Sequence, residues 1–312
     1  MTRKLAIGVD VGGSHVSCAA FDLSGKQYLN RTFAENDLDN HASADVIISI
    51  WGDTIRRTIE LAGGKNIEGI GFAMPGPFDY KKGISLFTGQ NDKYENTYGL
   101  EVPPKLRQYL GLQDSVKIRF INDATAFAIG EDRAGKAREV SSSLSITLGT
   151  GFGSAFITDG LPVLTGESVP DRGCIWHLPF EKGIADDYFS TRGLLKRYQE
   201  KTGTLLQGVK ELADMVDTDQ VVKSLFNDFG LKLGQFLNPW IRKFGIEILV
   251  IGGNISRAYP LFEESLSGYL KAEKLPMRVA ISELKEKASI IGSATLMDEL
   301  FFEKVGPLLN FM

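Results

Sequence analysis

The spacing of apolar and polar residues predicts strands joined by glycine turns, with amphipathic helices between them. Residues 5–22, LAIGVDVGGSHVSCAAFD, form two apolar runs around Gly12-Gly13, a pattern typical of two strands in a hairpin. Apolar residues then recur at helical spacing from Val46 to Ile59, and Ser43 and Gly63-Gly64 are the expected N-cap and stop of that helix. The opening of the chain therefore predicts a hairpin followed by a helix.

The second half of the chain partly repeats this arrangement. The run 117–121 predicts a strand that turns helical from about Ala124, and residues 142–160, SSLSITLGTGFGSAFITDG, again indicate strand, glycine turn and strand. Residues 188–243 predict mostly helix, and 246–256 predict a buried strand that ends in a third glycine turn. The similarity lies in the strand–glycine–strand unit rather than in the individual letters.

Three further elements complete the pattern. Residues 67–79, IEGIGFAMPGPFD, predict a strand ended by Pro75-Gly76-Pro77, and residues 103–110 predict a short helix. A last helix is expected from near Ile290 to Phe301. No low-complexity linker separates the halves, so any domain boundary lies inside compact structure.

Composition narrows the class of protein. The 312 residues are 43% hydrophobic and 24% charged, which is typical of a globular protein of about two domains. A net charge of -4 argues against a nucleic-acid partner. No apolar stretch approaches the length of a membrane span and the start is a poor signal peptide, so we expect a cytoplasmic protein without a membrane partner. Cys18 and Cys174 cannot form a disulfide framework or a four-cysteine zinc site, and Cys18 is expected in the core.

The glycine turns indicate a possible chemistry. Successive backbone N–H groups in a turn form a concavity that binds anions, and glycine lets them approach a ligand closely. An acidic side chain beside that concavity repels phosphate unless a cation lies between them, so Asp10 beside Gly12-Gly13 predicts a Mg²⁺–phosphate complex, with the metal held partly through water. One such hairpin alone is more simply explained by the preference of tight turns for glycine. Three turns, DVGGS, LGTGFG and IGGNIS, favour a phosphate ligand, although neither a P-loop nor a dinucleotide-binding pattern is present.

Taken together, the motifs resemble a known family. IGVDVGGSHVSCAAFD, ITLGTGFGSAF and VIGGNIS are similar to the phosphate-1, phosphate-2 and adenosine motifs of the actin–hexokinase–heat-shock ATPase superfamily. GFAMPGPFD, FINDATAFAIGE and GCIWHLPF resemble the sugar kinases of the ROK family (repressor, open reading frame, kinase). The resemblance implies an actin-like ATPase fold, a ribonuclease H-like duplication of two α/β domains around a cleft. We expect residues 1–118 with 290–312 in one domain and 119–289 in the other.

The resemblance also assigns ligands to residues. It implies an ATP-dependent kinase that uses Mg²⁺ and phosphorylates a hydroxyl of a hexose, an amino sugar or an N-acetyl sugar. Asp123, at the point where a strand becomes a helix, would be the general base, and Asn122 would bind sugar hydroxyls. Asp123 could instead only cap the helix that follows, and the two roles are compatible. The expected contacts to nucleotide and metal are Asp10 (to Mg²⁺), Gly12, Gly13, Ser14, Thr150, Gly151, Gly252, Gly253 and Asn254.

The stretch ESVPDRGCIWHLPF departs from the family. Cys174 and Asp186 stand where the family has sugar-binding glutamates, whereas His177 is kept, so these three are the further candidates for sugar contacts. His177 could equally be a satisfied core histidine, and Trp176 is either a stacking face for the substrate or a core residue. The family's cysteine-rich loop is absent, so no zinc is expected. Because a thiol is a weaker hydrogen-bond partner than a carboxylate, plain glucose is not the expected preferred substrate.

Three classes of function remain for comparison. The first is a hexose or amino-sugar kinase. The second is a sugar-responsive repressor, which would need an N-terminal helix-turn-helix; since the first phosphate loop begins at Gly12, we expect none. The third is a degenerate sugar-binding or regulatory protein without kinase activity, which the altered stretch around Cys174 leaves open and the intact aspartates and glycine turns disfavour. We therefore expect a cytoplasmic sugar kinase that forms a homodimer.

Overall fold

Two compact units make up the chain. The computed structural model describes residues 4–64, 67–88 and 93–312. One unit contains Met1–Gly135 and Glu286–Met312, and the other contains Lys136–Lys285. None of the helices in the described ranges combines the length and the apolar character that a membrane span requires.

The strands alternate with helices along both units. In chain order the strands are β1 (Leu5–Val11), β2 (His15–Asp22), β3 (Gln27–Tyr28), β4 (Ala34–Asp37), β5 (Ile67–Met74), β6 (Phe78–Asp79), β7 (Ile84–Ser85), β8 (Lys117–Asn122), β9 (Ser142–Leu148), β10 (Phe152–Thr158), β11 (Leu161–Pro162), β12 (Pro179–Phe180), β13 (Gly183–Ile184), β14 (Ile248–Gly252) and β15 (Arg278–Ile281). The α-helices are α1 (Ala44–Leu61), α2 (Val102–Leu110), α3 (Asp123–Ala134), α4 (Ala185–Phe189), α5 (Thr191–Thr202), α6 (Val209–Asp214), α7 (Gln220–Phe244), α8 (Tyr259–Ala272), α9 (Glu286–Thr295) and α10 (Glu299–Val305).

The first unit is built on a mixed sheet with the strand order β3-β2-β1-β5-β8, and β4 pairs with the first half of β2, from His15 to Cys18. The strands β1 and β2 form the predicted antiparallel hairpin, while β1, β5 and β8 run parallel. Asp10 pairs with Ala73, and the next residue of β5, Met74, pairs with Asn122. Since parallel strands end at the same edge of a sheet, Asp10 and Asn122 lie at one edge of this unit.

The second unit repeats this topology, with the strand order β11-β10-β9-β14-β15. An antiparallel hairpin, β9–β10, is followed by β14, which runs parallel to β9, and by β15, parallel to β14. Gly252 pairs with Thr147, so the second and third glycine turns lie at the same edge of this sheet. The repeated strand–glycine–strand unit predicted from the sequence is therefore confirmed.

The helix α9 belongs to the first unit because its backbone packs directly on the sheet. A Cβ on Gly8 of β1 would lie 2.0 Å from the carbonyl oxygen of Ile290, and one on Gly71 of β5 would lie 1.9 Å from that of Ser293. Any larger residue at these two positions would push the helix away from the strands. Close approach, rather than backbone conformation, explains both glycines.

Most predicted elements are confirmed, including the N-cap position of Ser43 before α1 and the burial of Cys18. The single last helix is wrong: α9 ends at Thr295, and Asp298 starts α10 by accepting hydrogen bonds from the N–H groups of Leu300 and Phe301. The predicted domain boundary after residue 118 falls inside β8. Because β8 pairs with β5 and leads directly into α3, the first unit continues to Gly135, and it resumes at Glu286 rather than at residue 290.

Candidate active site

The turn between β1 and β2 presents free N–H groups. The Gly12 N–H donates to the carbonyl of His15 at 3.0 Å, which closes the turn. The carbonyls of Gly12 and Gly13 accept hydrogen bonds from the Tyr94 hydroxyl and the Asn40 side-chain amide. Within the part of the chain that is described, the N–H groups of Gly13 and Ser14 have no acceptor. The turn thus has the donors that an anion needs, on a backbone held in place by two side chains.

Asp10 lies beside this turn in an environment that disfavours its charge. Burial, and after it the nearby carboxylates of Asp123 and Glu286, raise the pKa of the Asp10 carboxyl to about 8. A divalent cation is the simplest partner that would let Asp10 ionise at neutral pH, because a nearby positive charge lowers the pKa of a carboxyl group. Mg²⁺ is suited to this place, since it prefers oxygen ligands such as carboxylates. The residues present therefore fit the predicted magnesium.

Asn122 takes the capping role that the sequence left open for Asp123. The Asn122 side-chain oxygen accepts from the Thr125 N–H at 3.1 Å, so Asn122, and not Asp123, is the N-cap of α3. Oδ1 of Asp123 accepts from the Ala124 N–H at 2.8 Å and from the Asn122 amide at 3.0 Å. The Asp123 backbone N–H also interacts with the carboxylate, and no side chain among the described residues donates to Oδ2. The Asp123 carboxylate is therefore held at one oxygen and available at the other.

Burial sets the proton affinity of Asp123. It raises the pKa of the carboxyl above its ordinary value, while the Ala124 N–H, the ammonium of Lys93 and the Asn122 amide lower it again by a smaller amount. A carboxylate with a raised pKa is a stronger base than one in water.

Three residues near this turn, Asn40, Lys93 and Tyr94, were missed in the sequence analysis. They lie in connecting segments without apolar periodicity, and their sequence carries no motif that marks them. Asn40 and Tyr94 are held by hydrogen bonds to Gly13 and Gly12, which are distant in the chain, and Lys93 lies against Gly13.

The second glycine turn is held by an aspartate that was predicted to bind sugar. Oδ1 of Asp186 accepts from the Phe152 N–H at 2.6 Å, and its Oδ2 lies 2.7 Å from Nη2 of Arg192. Asp186 Oδ1 also lies 3.3 Å from the position of a Cβ on Gly151. Thr150 and Gly151, which precede Phe152 in the turn, are exposed. Asp186 is therefore placed against the turn and shares its two oxygens between the backbone and an arginine.

The departing stretch brings Cys174 and His177 together. Sγ of Cys174 lies 3.7 Å from Nδ1 of His177, and the rings of Trp176 and His177 pack edge to face with their centroids 5.3 Å apart. Trp176 is 45% exposed, so the interpretation of Trp176 as a core residue is wrong. Burial raises the pKa of the Cys174 thiol, with nearby Arg172 opposing it, and burial lowers the pKa of His177. The thiol and the imidazole are thus mostly neutral hydrogen-bonding groups at neutral pH.

The third glycine turn follows β14. Gly252 ends the strand, Gly253 adopts a φ of 80°, and Asn254 begins a short 3₁₀ segment. A Cβ on Gly253 would lie 2.3 Å from the carbonyl oxygen of Leu148. Both the positive φ and the close approach require glycine here. The exposed Gly253 and Asn254 lie at the same sheet edge as the second turn.

A second group of possible metal ligands lies in the first unit. Atoms of His15, Glu35 and Glu286 lie within 4.8 Å of one another. These residues do not belong to the departing stretch, where the family's cysteine-rich loop is missing, so the absence of zinc stays a prediction.

Comparison with known proteins identifies the family. A family model described as the ROK family matches residues 6–299. The chain is 27% identical to a glucokinase of Thermotoga maritima over 96% of this chain and 99% of that protein, and 24% identical to a xylose repressor of Bacillus spizizenii over 96% and 78%. The crystal structure of a ROK family glucokinase from Streptomyces griseus in complex with glucose and AMPPNP superposes with a TM-score of 0.73 at 21% identity, covering 95% of this chain and 99% of that one. The predicted actin-like ATPase fold is confirmed, and the chain belongs to the ROK family.

Proposed function

We propose that the protein is a sugar kinase that transfers the γ-phosphoryl group of ATP to a hydroxyl of a hexose or of an amino or N-acetyl sugar. The observation that carries the proposal is the Asp123 carboxylate, which has one fixed and one available oxygen in the same unit as Asp10 and the free N–H groups of the first glycine turn. The similarity to a glucokinase supports this choice of reaction.

Asp123 acts as the general base. Its Oδ1 is fixed by two donors, so Oδ2 is aimed without a loss of side-chain freedom when substrate binds. Oδ2 accepts the proton of the sugar hydroxyl as the hydroxyl oxygen attacks the γ-phosphorus, and ADP leaves. Asn122 fixes Asp123 through its amide and reaches the Tyr80 hydroxyl at 3.3 Å, so a sugar hydroxyl would meet a polar group at this strand end.

The nucleotide is bound through backbone groups. The N–H groups of Gly13 and Ser14 would donate to phosphate oxygens, and Asp10 would hold Mg²⁺, partly through water. When bound, Mg²⁺ would offset the negative charge of the phosphates. Thr150 and Gly151 contact phosphate, and the segment 252–254 borders the adenosine; both assignments rest on the family resemblance and stay proposals.

The sugar is recognised by a set of residues with few charges. His177 and Cys174 offer neutral hydrogen-bonding groups, and the exposed Trp176 ring beside His177 offers an apolar face. Asp186 has its two oxygens engaged by the Phe152 N–H and by Arg192, which leaves it less able to receive sugar hydroxyls. These contacts favour a sugar with an apolar or N-acetyl substituent over plain glucose.

The proposal is tested by measuring ADP formation with Mg²⁺-ATP and a panel of hexoses, amino sugars and N-acetyl sugars. We expect turnover with at least one sugar, and Asp123→Asn to lower kcat by about 10²–10⁴-fold with nucleotide binding retained. Asp298→Asn is the matched control, because Asp298, like Asp123, lies at the N-terminus of a helix but is not a residue of the site. A wild-type rate in Asp123→Asn would contradict the role of base.

A second candidate function is sugar binding without phosphoryl transfer, as in a regulatory protein. The similarity to a xylose repressor and the engagement of Asp186 by Arg192 favour it. Saturable sugar binding without ADP formation for any member of the panel would support this function. The expected homodimer and cytoplasmic location stay predictions, and sedimentation of the purified protein tests the first of them.

A further inference from the structure

We propose that Lys93 binds the terminal phosphoryl group of the nucleotide and thereby selects ATP over ADP. The inference rests on the proposed kinase function and adds to it a residue that no sequence motif marks. It is carried by the position of the Lys93 side chain against Gly13.

The segment that contains Lys93 is fastened to the first glycine turn. Its neighbour Tyr94 is fully buried, donates its hydroxyl to the carbonyl of Gly12 and donates its N–H to the carbonyl of Asn40 at 3.0 Å. The Asn40 side chain in turn donates to the carbonyl of Gly13. Because Tyr94 is held at two points, the backbone of the adjacent Lys93 is fixed beside the turn.

The side chain of Lys93 lies across Gly13. Cε and Nζ of Lys93 are 3.3 and 3.5 Å from the position that a Cβ of Gly13 would occupy. Gly13 does not have a positive φ, so the turn geometry alone does not demand glycine there. A Cβ at Gly13 would be in contact with the end of the Lys93 side chain, so the glycine leaves no side chain between the Lys93 ammonium and the backbone of the turn.

The ammonium is also close enough to Asp123 to stabilise its ionised form. Lys93 therefore lies near both ends of the proposed transfer, namely the free N–H groups that bind phosphate and the carboxylate that takes the proton of the acceptor hydroxyl. In phosphoryl transfer the charge of the moving group is spread over its three equatorial oxygens. A compact ammonium at this point is suited to those oxygens, since it needs no fixed hydrogen-bond geometry.

This placement predicts which ligands depend on Lys93. A terminal phosphoryl group would contact the ammonium, whereas the α- and β-phosphates of ADP would be held by backbone N–H groups. Loss of the charge should then weaken ATP binding and slow transfer, with ADP binding preserved.

The experiment measures equilibrium binding of AMPPNP and ADP in Mg²⁺, together with kcat and KM, for wild type, Lys93→Met and Lys93→Arg. Methionine keeps most of the length of the side chain without its charge. For Lys93→Met we expect AMPPNP affinity to fall about 10- to 100-fold, the range that one hydrogen bond to a charged group represents, with ADP affinity within about twofold of wild type. We expect kcat to fall as well and Lys93→Arg to recover part of both losses. Lys105→Met, on the exposed side of α2, is the matched control and should change neither ligand.

Several outcomes would overturn the inference. Equal losses of AMPPNP and ADP affinity would show a structural role, as would a lowered melting temperature with both affinities changed. A loss confined to sugar affinity would place Lys93 on the acceptor instead. If wild type transfers no phosphoryl group to any sugar, the proposed function fails, but the difference between AMPPNP and ADP still tests Lys93. If wild type is an active kinase and Lys93→Met matches it, only this inference fails.

Discussion

The charge on Asp10 makes the stability of the metal-free protein dependent on pH. The folded pKa of this carboxyl is raised from 3.8 to about 8, chiefly by burial and then by Asp123 and Glu286. Below pH 4 the carboxyl is protonated in both the folded and the unfolded chain. As the pH rises from about 4 to 8, the unfolded chain releases the proton and the folded protein keeps it, so the free energy of unfolding falls.

The size of this effect follows from the shift. Each unit of pKa corresponds to about 1.4 kcal/mol, so between pH 5 and pH 8 the folded protein loses up to about 4 kcal/mol of stability through Asp10. This is an upper limit, because Asp10 is only partly buried and solvent reduces the cost of its charge. A loss of even half this size is a large fraction of the stability of an ordinary domain.

Asp10→Asn removes the titrating group while keeping its size. We expect the metal-free variant to be more stable than wild type at pH 8, by up to several kcal/mol, and the two to differ much less at pH 5. Adding Mg²⁺ at pH 8 should stabilise wild type and leave the variant nearly unchanged, because a bound cation favours the ionised carboxylate. Urea denaturation of wild type and Asp10→Asn gives these free energies of unfolding, when it is carried out at both pH values in a chelator and in millimolar Mg²⁺.

Asp45→Asn is the control, since Asp45 is an exposed acid in the first turn of α1 and is not near the site. It should follow wild type at both pH values. If the stability of Asp10→Asn also follows that of wild type, and Mg²⁺ stabilises both equally, then ionising Asp10 does not destabilise the folded protein and Asp10 does not hold the metal. In the kinase assay the same Asp10→Asn variant should need more Mg²⁺ for half-maximal rate, and an unchanged Mg²⁺ requirement would oppose the metal assignment independently.

Two further predictions concern the second turn and the packing of α9. Asp186→Ala removes both the acceptor of the Phe152 N–H and the partner of Arg192, so calorimetry should show weaker nucleotide binding. Arg192→Met removes only the ion pair and should show a smaller loss of affinity. Equal losses would mean that the contact of Asp186 with the backbone contributes nothing. Gly71→Ala puts a Cβ 1.9 Å from the Ser293 carbonyl oxygen and should lower the free energy of unfolding by at least about 1–3 kcal/mol. Gly268→Ala is the control: its Cβ would meet no atom within 4 Å, so it should be neutral or stabilising by about 0.5–1 kcal/mol. Similar melting temperatures for both variants would contradict the close packing of α9 on β5.

Elements with strong local signals could be predicted from the sequence. The hairpin β1–β2 and the passage from β8 to α3 depend on apolar runs, glycines and a polar residue at the strand end, all of which are visible in the letters. That Asp10 and Asn122 share a sheet edge follows once β1, β5 and β8 are recognised as parallel strands. The break between α9 and α10 could also have been predicted, because Asp298 is a good N-cap inside an otherwise helical pattern.

Residues whose role depends on contacts between distant segments could not be predicted in this way. Lys93 and Tyr94 reach the first turn from a connecting loop, and the packing of that loop has no periodic signature. For Asp186 the alignment of motifs supplied a position but not a partner, and only the fold shows that Phe152 and Arg192 engage it. A carboxylate can occupy a family position and still serve a neighbouring backbone group.

The energetic cost at Asp10 bears on the choice between a kinase and a protein that only binds sugar. Burial, Asp123 and Glu286 all raise the cost of ionising Asp10 in the absence of a cation, and no hydrogen bond to the Asp10 carboxylate offsets that cost among the described residues. Replacing Asp10 by a neutral residue would therefore stabilise a protein that had no use for the charge. Sugar recognition alone does not need an acidic residue beside a phosphate-binding turn, because neutral amides can both donate to and accept from sugar hydroxyls. A destabilising carboxylate at this place is explained when a cation and a polyphosphate bind there, and this favours the kinase over the binding protein.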